Sequence, residues 1–381
     1  MKANEKKDTI LKMLKENSDR YISGEELSEM FNVSRTAIWK NINDLRKMGY
    51  EIDSVTNRGY KLMSSPGILN AGETKTYIDD NALIGKELIV FETIDSTNTY
   101  LKSNAEKYPT GTVIASREQT GGKGRLGRVW QSKKDDTISF SVLLRPEISP
   151  MEVSAITPLC GLAVAKALNE YFNFGAEIKW PNDVIIGNKK LVGILTEMNC
   201  EFDKVDFIVV GIGINILNKD FPEEISKKAT SCALESDKEI DKNKLLAIIL
   251  KHIENILLKG NYSFNEENLK EYKDYCATLG RNIIFTRKGE KVSGKATDID
   301  NNGELVVTLE DGTTETVFSG EVTVQGIYWF NTKIKGYCKS NSPFFLWITH
   351  RKHLSRLVVH QLRFYFYHNK YMKQHYPHYR S

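Results

Sequence analysis

Residues 119–130, QTGGKGRLGRVW, set four glycines (Gly121, Gly122, Gly124, Gly127) among Lys123, Arg125 and Arg128. Glycine frees the backbone and the cations add charge, so such a loop can wrap an anion with amides and side chains together. A plain cationic surface loop explains the charges but not the glycines beside them. The Gly-Lys-Ser/Thr ending of a Walker A loop is absent, which excludes the P-loop mechanism. A second group, Lys179-Trp180-Pro181-Asn182-Asp183, is followed by Lys190 at the head of KLVGIL. A lysine there can neutralise charge building on a phosphoryl group while Asp183 holds Mg²⁺; taken alone, Lys190 reads as a hairpin-tip lysine. Gly211-Ile212-Gly213-Ile214-Asn215 lacks the third glycine of a dinucleotide fingerprint, and close packing of a central strand explains it equally.

The elements that must position these residues follow from periodicity. Apolar residues at helical spacing in 8–15, 24–31 and 34–48, with Ser34 as N-cap and Gly49 as stop, predict three short helices. Alternation around Asn57-Arg58-Gly59 predicts a hairpin after them. This is the winged helix-turn-helix plan, with Ser34, Arg35, Thr36 and Lys40 outward on the third helix and Arg58 in the wing as candidate DNA contacts. A protein-interaction module of the same shape is the alternative. Pro66 and Gly67 interrupt both periodicities and read as a linker. From residue 82 to 275, β-type runs (ELIVFETI, TVIAS, TISFSVLL, DVIIG, KLVGILTEM, FIVVGIGINI) mix with helical stretches at 97–106, 151–172 and 241–259. The short turn at Gly187-Asn188 favours antiparallel pairing. Residues 280–326 alternate without helical pattern and predict a small β-barrel.

The 381 residues, 40% hydrophobic and 27% charged, exclude a disordered or fibrous chain. The five cysteines form no C-x-x-C pair, so they read as buried or incidental thiols. No run is apolar enough to span a membrane, and the charged N-terminus does not suit a signal peptide, which predicts a cytoplasmic protein. The net charge of +4 looks mildly basic until it is resolved by region. Residues 1–65 hold 12 Lys+Arg against 10 Asp+Glu, residues 66–326 hold 31 against 39, and residues 327–381 hold 10 against none. The body is therefore acidic, and a nearly neutral helix-turn-helix needs two copies for tight operator binding. The last 55 residues hold 14 aromatics and six of the seven histidines. They read as an altered reading frame or read-through, the alternative being a nucleic-acid-binding or membrane-surface extension.

In this order and spacing, Ser96-Thr97-Asn98, Gln119 with the loop of 122–128, KWPND, KLVGIL and GIGIN resemble the bifunctional biotin protein ligases that double as biotin operon repressors. The resemblance covers residues 1–328. It implies an α+β multidomain fold: a winged helix-turn-helix DNA-binding domain (1–65), a linker (66–81), a catalytic domain (82–276), an SH3-like C-terminal β-barrel (277–328) and an atypical tail (329–381). The catalytic domain would be like class II aminoacyl-tRNA synthetases, with a largely antiparallel sheet. The implied reaction uses Mg²⁺, ATP and biotin to make biotinyl-5′-adenylate, then transfers biotin to a lysine of a biotin carboxyl carrier protein. A homodimer on operator DNA would repress the genes of biotin synthesis.

Matched by position, Ser96, Thr97, Asn98, Gln119, Lys123, Gly124, Arg125 and Lys190 would contact biotin. Arg125, Arg128, Trp130 and Asn215 would contact the nucleotide. Lys190, Arg125 and Asp183 would be catalytic, with Asp183 toward the metal. Two rivals share parts of this pattern: a lipoate-type acyl-adenylate ligase, and a transcription factor that senses biotin without catalysis. The chain departs from the family at Gln325, where an arginine is usual, and after Trp329, where the family has no counterpart.

Overall fold

The computed structural model describes residues 3–328 apart from 132, 202, 203, 319 and 321; the tail and its altered-frame reading lie outside the described residues. Helices α1 (Ala3–Glu16), α2 (Gly24–Met30) and α3 (Arg35–Lys47) precede an antiparallel hairpin of β1 (Glu51–Val55) and β2 (Gly59–Ser64). Ser23 and Ser34 start α2 and α3, each Oγ accepting the amide three residues on, Glu26 at 2.9 Å and Ala37 at 3.2 Å. Ile10, Leu14, Leu27, Ile38, Ile42, Leu45, Ile52 and Leu62 close a hydrophobic cluster of their own.

Residues 66–81, which Pro66 and Gly67 mark as a linker, contain a packed helix, α4 (Ala71–Lys75). Asn70 caps it by accepting from Glu73 N at 3.0 Å. Glu73, 1% exposed, accepts from Tyr50 Oη at 2.7 Å and pairs with Lys15 of α1. Lys15 also donates to Tyr77 Oη at 3.0 Å, and Tyr77 donates to Asp241 at 2.7 Å. This polar strap runs from the helix-turn-helix through the linker to Asp241. Glu73→Ala leaves Lys15 and Tyr50 without their acceptor, and breaking a buried ion pair costs about 3 kcal/mol or more. A urea melt is expected to show the loss, and Glu73→Gln, which still accepts from Tyr50, should lose less.

A seven-stranded mixed sheet forms the centre. Its elements are β3 (Leu88–Phe91), α5 (Thr97–Ser103), β4 (Val113–Ser116), β5 (Thr137–Leu144), α6 (Ile156–Phe172), β6 (Glu177–Lys179), β7 (Asp183–Ile186), β8 (Lys189–Glu201) and β9 (Lys204–Asn215). The short α7 (Glu223–Ser226) and α8 (Cys232–Glu235) lead to α9 (Lys242–Lys259) and α10 (Glu266–Tyr275). The strand order is β3-β4-β5-β9-β8-β7-β6, with β3 and β4 parallel and the other pairs antiparallel. Helix α6 lies over Ile178 and Ile194, the face opposite Gly193.

The last described strands, β10 (Asn282–Arg287), β11 (Glu290–Ile299), β12 (Leu305–Leu309), β13 (Thr314–Val317) and β14 (Thr323–Val324), form an antiparallel sheet in the order β13-β12-β11-β10-β14. Among the described residues β13 and β14 do not pair. Where the sequence predicts a barrel, the structure therefore describes an open five-stranded sheet, whose edge strand β14 pairs with β10 over two residues. Among the described residues no helix is long and apolar enough to cross a membrane. Cys160 and Cys276 are buried, which pushes their thiols up to about 12 and about 11, as expected of inert thiols.

Candidate active site

Sheet register puts the site on one row. Ser139 of β5 faces Gly213 of β9, Gly213 faces Gly193 of β8, Gly193 faces Asp183 of β7, and Asp183 faces Lys179 of β6. A bulge between Val184 and Ile185 shifts the pairing so that Ile185 meets Lys190, with Leu191 as the extra residue. In regular pairing Lys190 would point to the α6 face. The bulge re-aims it onto the face of Gly193 and Asp183, where its Nζ donates to Asp183 Oδ1 at 2.5 Å. Its backbone is held from the other side by Lys228 O at 2.7 Å and Thr230 N at 2.9 Å.

The two glycines of this row make a bare floor for an indole. A Cβ on Gly213 would come within 2.4 Å of Trp130 Cε2, and one on Gly193 within 3.0 Å of Trp130 Cζ3. The GIGIN glycines thus serve close packing, not a dinucleotide. Trp130 Nε1 is buried and has no hydrogen-bond partner among the described residues. The glycine loop is a tight hairpin rather than an open strap: Gly124 N donates to Arg128 O at 2.7 Å and Trp130 N to Gly122 O at 2.9 Å. Its base is clamped by a two-pronged Arg117–Asp135 pair at 2.7 and 2.6 Å. Its tip is latched by Arg125, which donates to Asn182 Oδ1 at 2.8 Å and to Gly320 O at 3.0 Å.

Beyond the glycines lies a polar pocket. Ser96 caps α5, and Ser96, Thr97 and Asn98 are all buried. Gln119 Oε1 accepts from Thr97 N at 2.8 Å and Thr97 Oγ1 at 3.1 Å. Asn98 Oδ1 accepts from Ser141 Oγ at 2.6 Å, and its Nδ2 donates to Glu197 Oε2 at 2.9 Å. Ser141 and Glu197 were not legible as site residues, because each is joined to the STN motif only by strand register. Burial would raise the Glu197 carboxyl, but hydrogen bonds from Lys102 and Asn98 outweigh it and hold it below the usual range.

Two cavities meet at Lys190. One, about 60 Å³, is lined by Ser96, Thr97, Asn98, Gln119, Lys123 and Trp130 among others. The other, about 910 Å³, is lined by Arg128, Lys179, Asp183, Asn215 and Tyr328 among others. Gly124, Arg125, Trp130 and Lys190 border both. All twelve residues read from the sequence for the ligase site therefore lie on one of the two walls. Lys179, inside the KWPND motif, is an additional cation: its Nζ is 3.9 Å from Asp183 Oδ2, and burial lowers its pKa. Burial would raise Asp183, but Lys190 and Lys179 outweigh it and keep the carboxyl below its usual range. Lys190, Lys179 and Arg125, the cations that act on this one buried carboxylate, leave the junction positive, suited to anions. Among the described residues no three or more His, Cys, Asp or Glu gather as a metal cage.

The helix-turn-helix candidates lie on a separate exposed face. Arg35, Thr36 and Lys40 are exposed on α3, but Ser34 Oγ is spent on its cap and Arg35 pairs with Glu25 at 2.7 Å. Arg58 lies 4.9 Å over the Tyr21 ring. Trp39, 57% exposed between Thr36 and Lys40, is an addition to this face; its spacing of three from Thr36 was the available signal.

Comparison with known proteins matches three stretches of the chain. Residues 90–215 match the model of the biotin/lipoate A/B protein ligase family, residues 6–61 an HTH domain, and residues 278–324 the biotin protein ligase C-terminal domain. The chain is 33% identical over 319 residues to the bifunctional ligase/repressor BirA of Bacillus subtilis, covering 82% of this chain and 96% of that one. It is 28% identical over 307 residues to BirA of Escherichia coli, covering 80% and 92%. Among solved structures, the biotin protein ligase from Aquifex aeolicus in complex with biotin and ATP superposes with a TM-score of 0.56 at 31% identity, over 63% of this chain and 99% of that one.

Proposed function

We infer that this chain, which belongs to the bifunctional ligase/repressor family of biotin protein ligases, activates biotin with ATP, passes it to a lysine of a biotin carboxyl carrier protein, and represses transcription through its helix-turn-helix. In the first step an oxygen of the biotin carboxylate attacks the α-phosphorus of ATP and pyrophosphate leaves. In the second the carrier lysine attacks the carbonyl of the mixed anhydride, AMP leaves and the amine gives up a proton. The observation that carries this reading is the seam at Lys190, where a small polar cavity joins a large cationic one. Two anions must meet there, and positioned cations, not a side-chain nucleophile, are what their reaction needs.

Biotin is assigned to the smaller cavity, with Ser96, Thr97, Asn98 and Gln119 for its polar ring and Lys123, Gly124, Arg125 and Lys190 toward its carboxylate. Its volume of about 60 Å³ is far below the 300 Å³ or more of small-molecule pockets, so binding requires side chains of its wall to move apart. The nucleotide is assigned to the larger cavity, with Arg125, Arg128, Trp130 and Asn215. Mg²⁺ would arrive with the nucleotide substrate and would neutralise phosphate charge there, with Asp183 as the carboxylate that would hold it. We read residues 1–65, 82–276 and 277–328 as the DNA-binding, catalytic and SH3-like domains, and a homodimer in the cytoplasm as the DNA-bound form.

Incubating the full chain with ATP, biotin and a biotin carrier domain is expected to release pyrophosphate and add one biotin to one carrier lysine, read by intact mass. Lipoate in place of biotin should give no product. Biotin binding without pyrophosphate release would overturn the ligase reading and leave a sensor.

A further inference from the structure

Asp183 takes one of its partners from outside the catalytic sheet. After β14 the chain turns at Gly326 (φ 82°) and again at Tyr328 (φ 63°). A positive φ is uncommon for a tyrosine and persists only where its surroundings hold it. Here two hydrogen bonds do so: Tyr328 N donates to Asn188 O at 3.3 Å, on the turn between β7 and β8, and Tyr328 Oη donates to Asp183 Oδ2 at 3.0 Å. Lys179 Nζ lies 5.0 Å over the same ring. Burial and the neighbouring Asp183 raise the phenol well above its ordinary value, so it stays a neutral donor. Tyr328 lies beyond residue 324, where the match to the C-terminal domain model ends.

The two oxygens of Asp183 are thereby divided. Oδ1 carries Lys190 at 2.5 Å and Oδ2 carries the phenol at 3.0 Å, with Lys179 farther off at 3.9 Å. Without the phenol, Lys179 is the cation among the described residues to which Oδ2 turns. Rotation toward it draws Oδ1 away from Lys190, which then loses its place at the seam. We propose, resting on the ligase reading above, that Tyr328 is a positioning residue for adenylate formation, pinning Asp183 so that Lys190 stands where the two substrates meet. The first step needs this most, since two anions approach there; in the second the attacking amine is neutral.

The test is Tyr328→Phe in the full chain. Biotin-dependent pyrophosphate exchange is expected to fall about ten- to a hundred-fold, the range of one hydrogen bond to a charged group, in kcat rather than in KM for biotin. Transfer of preformed biotinyl adenylate to the carrier and the melting temperature should stay close to those of the unaltered chain. Lys190, released from its anchor, should be acetylated faster by acetic anhydride, read by peptide mass; this readout does not depend on ligase activity. In a double-mutant cycle with Asp183→Asn, the two losses should not add. Unchanged exchange and unchanged Lys190 reactivity in Tyr328→Phe, or fully additive losses, overturn the proposal. Equal loss of both half-reactions together with a lower melting temperature also overturns it, as a merely structural role. Lack of exchange by the unaltered chain overturns the ligase reading instead, and the Lys190 acetylation rate still decides the role of Tyr328.

Discussion

Lys190→Ala is expected to lower biotin-dependent pyrophosphate release by about 10² to 10³-fold, the loss found when one positioned charge-stabilising group is removed from an active site. The argument is one of sign as well as size. Lys190 borders both cavities and offsets Asp183 at 2.5 Å. Without it, a buried carboxylate stands where two anions must approach, so an attraction is lost and a repulsion is uncovered. The fold should survive, because the strand is held through the backbone of Lys190 and through Leu191, which is fully buried. Lys190→Arg should restore little, since a longer planar guanidinium does not set its charge at the point that the compact ammonium holds on Asp183 Oδ1. Pyrophosphate release within ten-fold of the unaltered chain would place the catalytic charge elsewhere.

Much of this site was legible because its parts are local. The glycines and cations of 121–128 are contiguous, and Ser34 carries its meaning as a helix cap in a few neighbouring residues. What was hidden is what only register creates. Nothing in KKLVGIL announces that Leu191 is a bulge, yet the bulge decides which face Lys190 takes. Ser141 and Glu197 support Asn98 from two other strands, and Tyr328 reaches Asp183 from the end of another sheet. The packed helix in the linker is different, since its signal is present in the sequence: Asn70 followed three residues later by Glu73 is a capping pattern, and it restarts helical structure directly after the break at Pro66 and Gly67. The barrel expectation rested on strand count and spacing and on the family resemblance, and neither count nor spacing says whether edge strands meet.

Arg125→Gly is expected to turn a retaining enzyme into a leaking one. The mixed anhydride is attacked by water and by any amine that reaches it, so its fate depends on exclusion rather than on reactivity. In the structure the loop's base is fixed independently of its tip: Arg117 and Asp135 clamp the base, and Lys242 donates to Asp135 O at 2.7 Å. The tip is latched by Arg125 to Asn182 and to Gly320. Removing this side chain frees the tip while the base and the sheet stay in place, so adenylate is still made but is held less. Two bonds from a charged donor are lost, and even one such bond corresponds to about ten-fold or more in escape rate. With ATP and biotin present, lysines of an unrelated bystander protein should become biotinylated, and free biotinyl adenylate should appear in the filtrate of an ultrafiltration membrane. If the variant labels its carrier alone and the filtrate stays empty, the latch does not retain the adenylate, and the glycine hairpin with Trp130 must close the site without it.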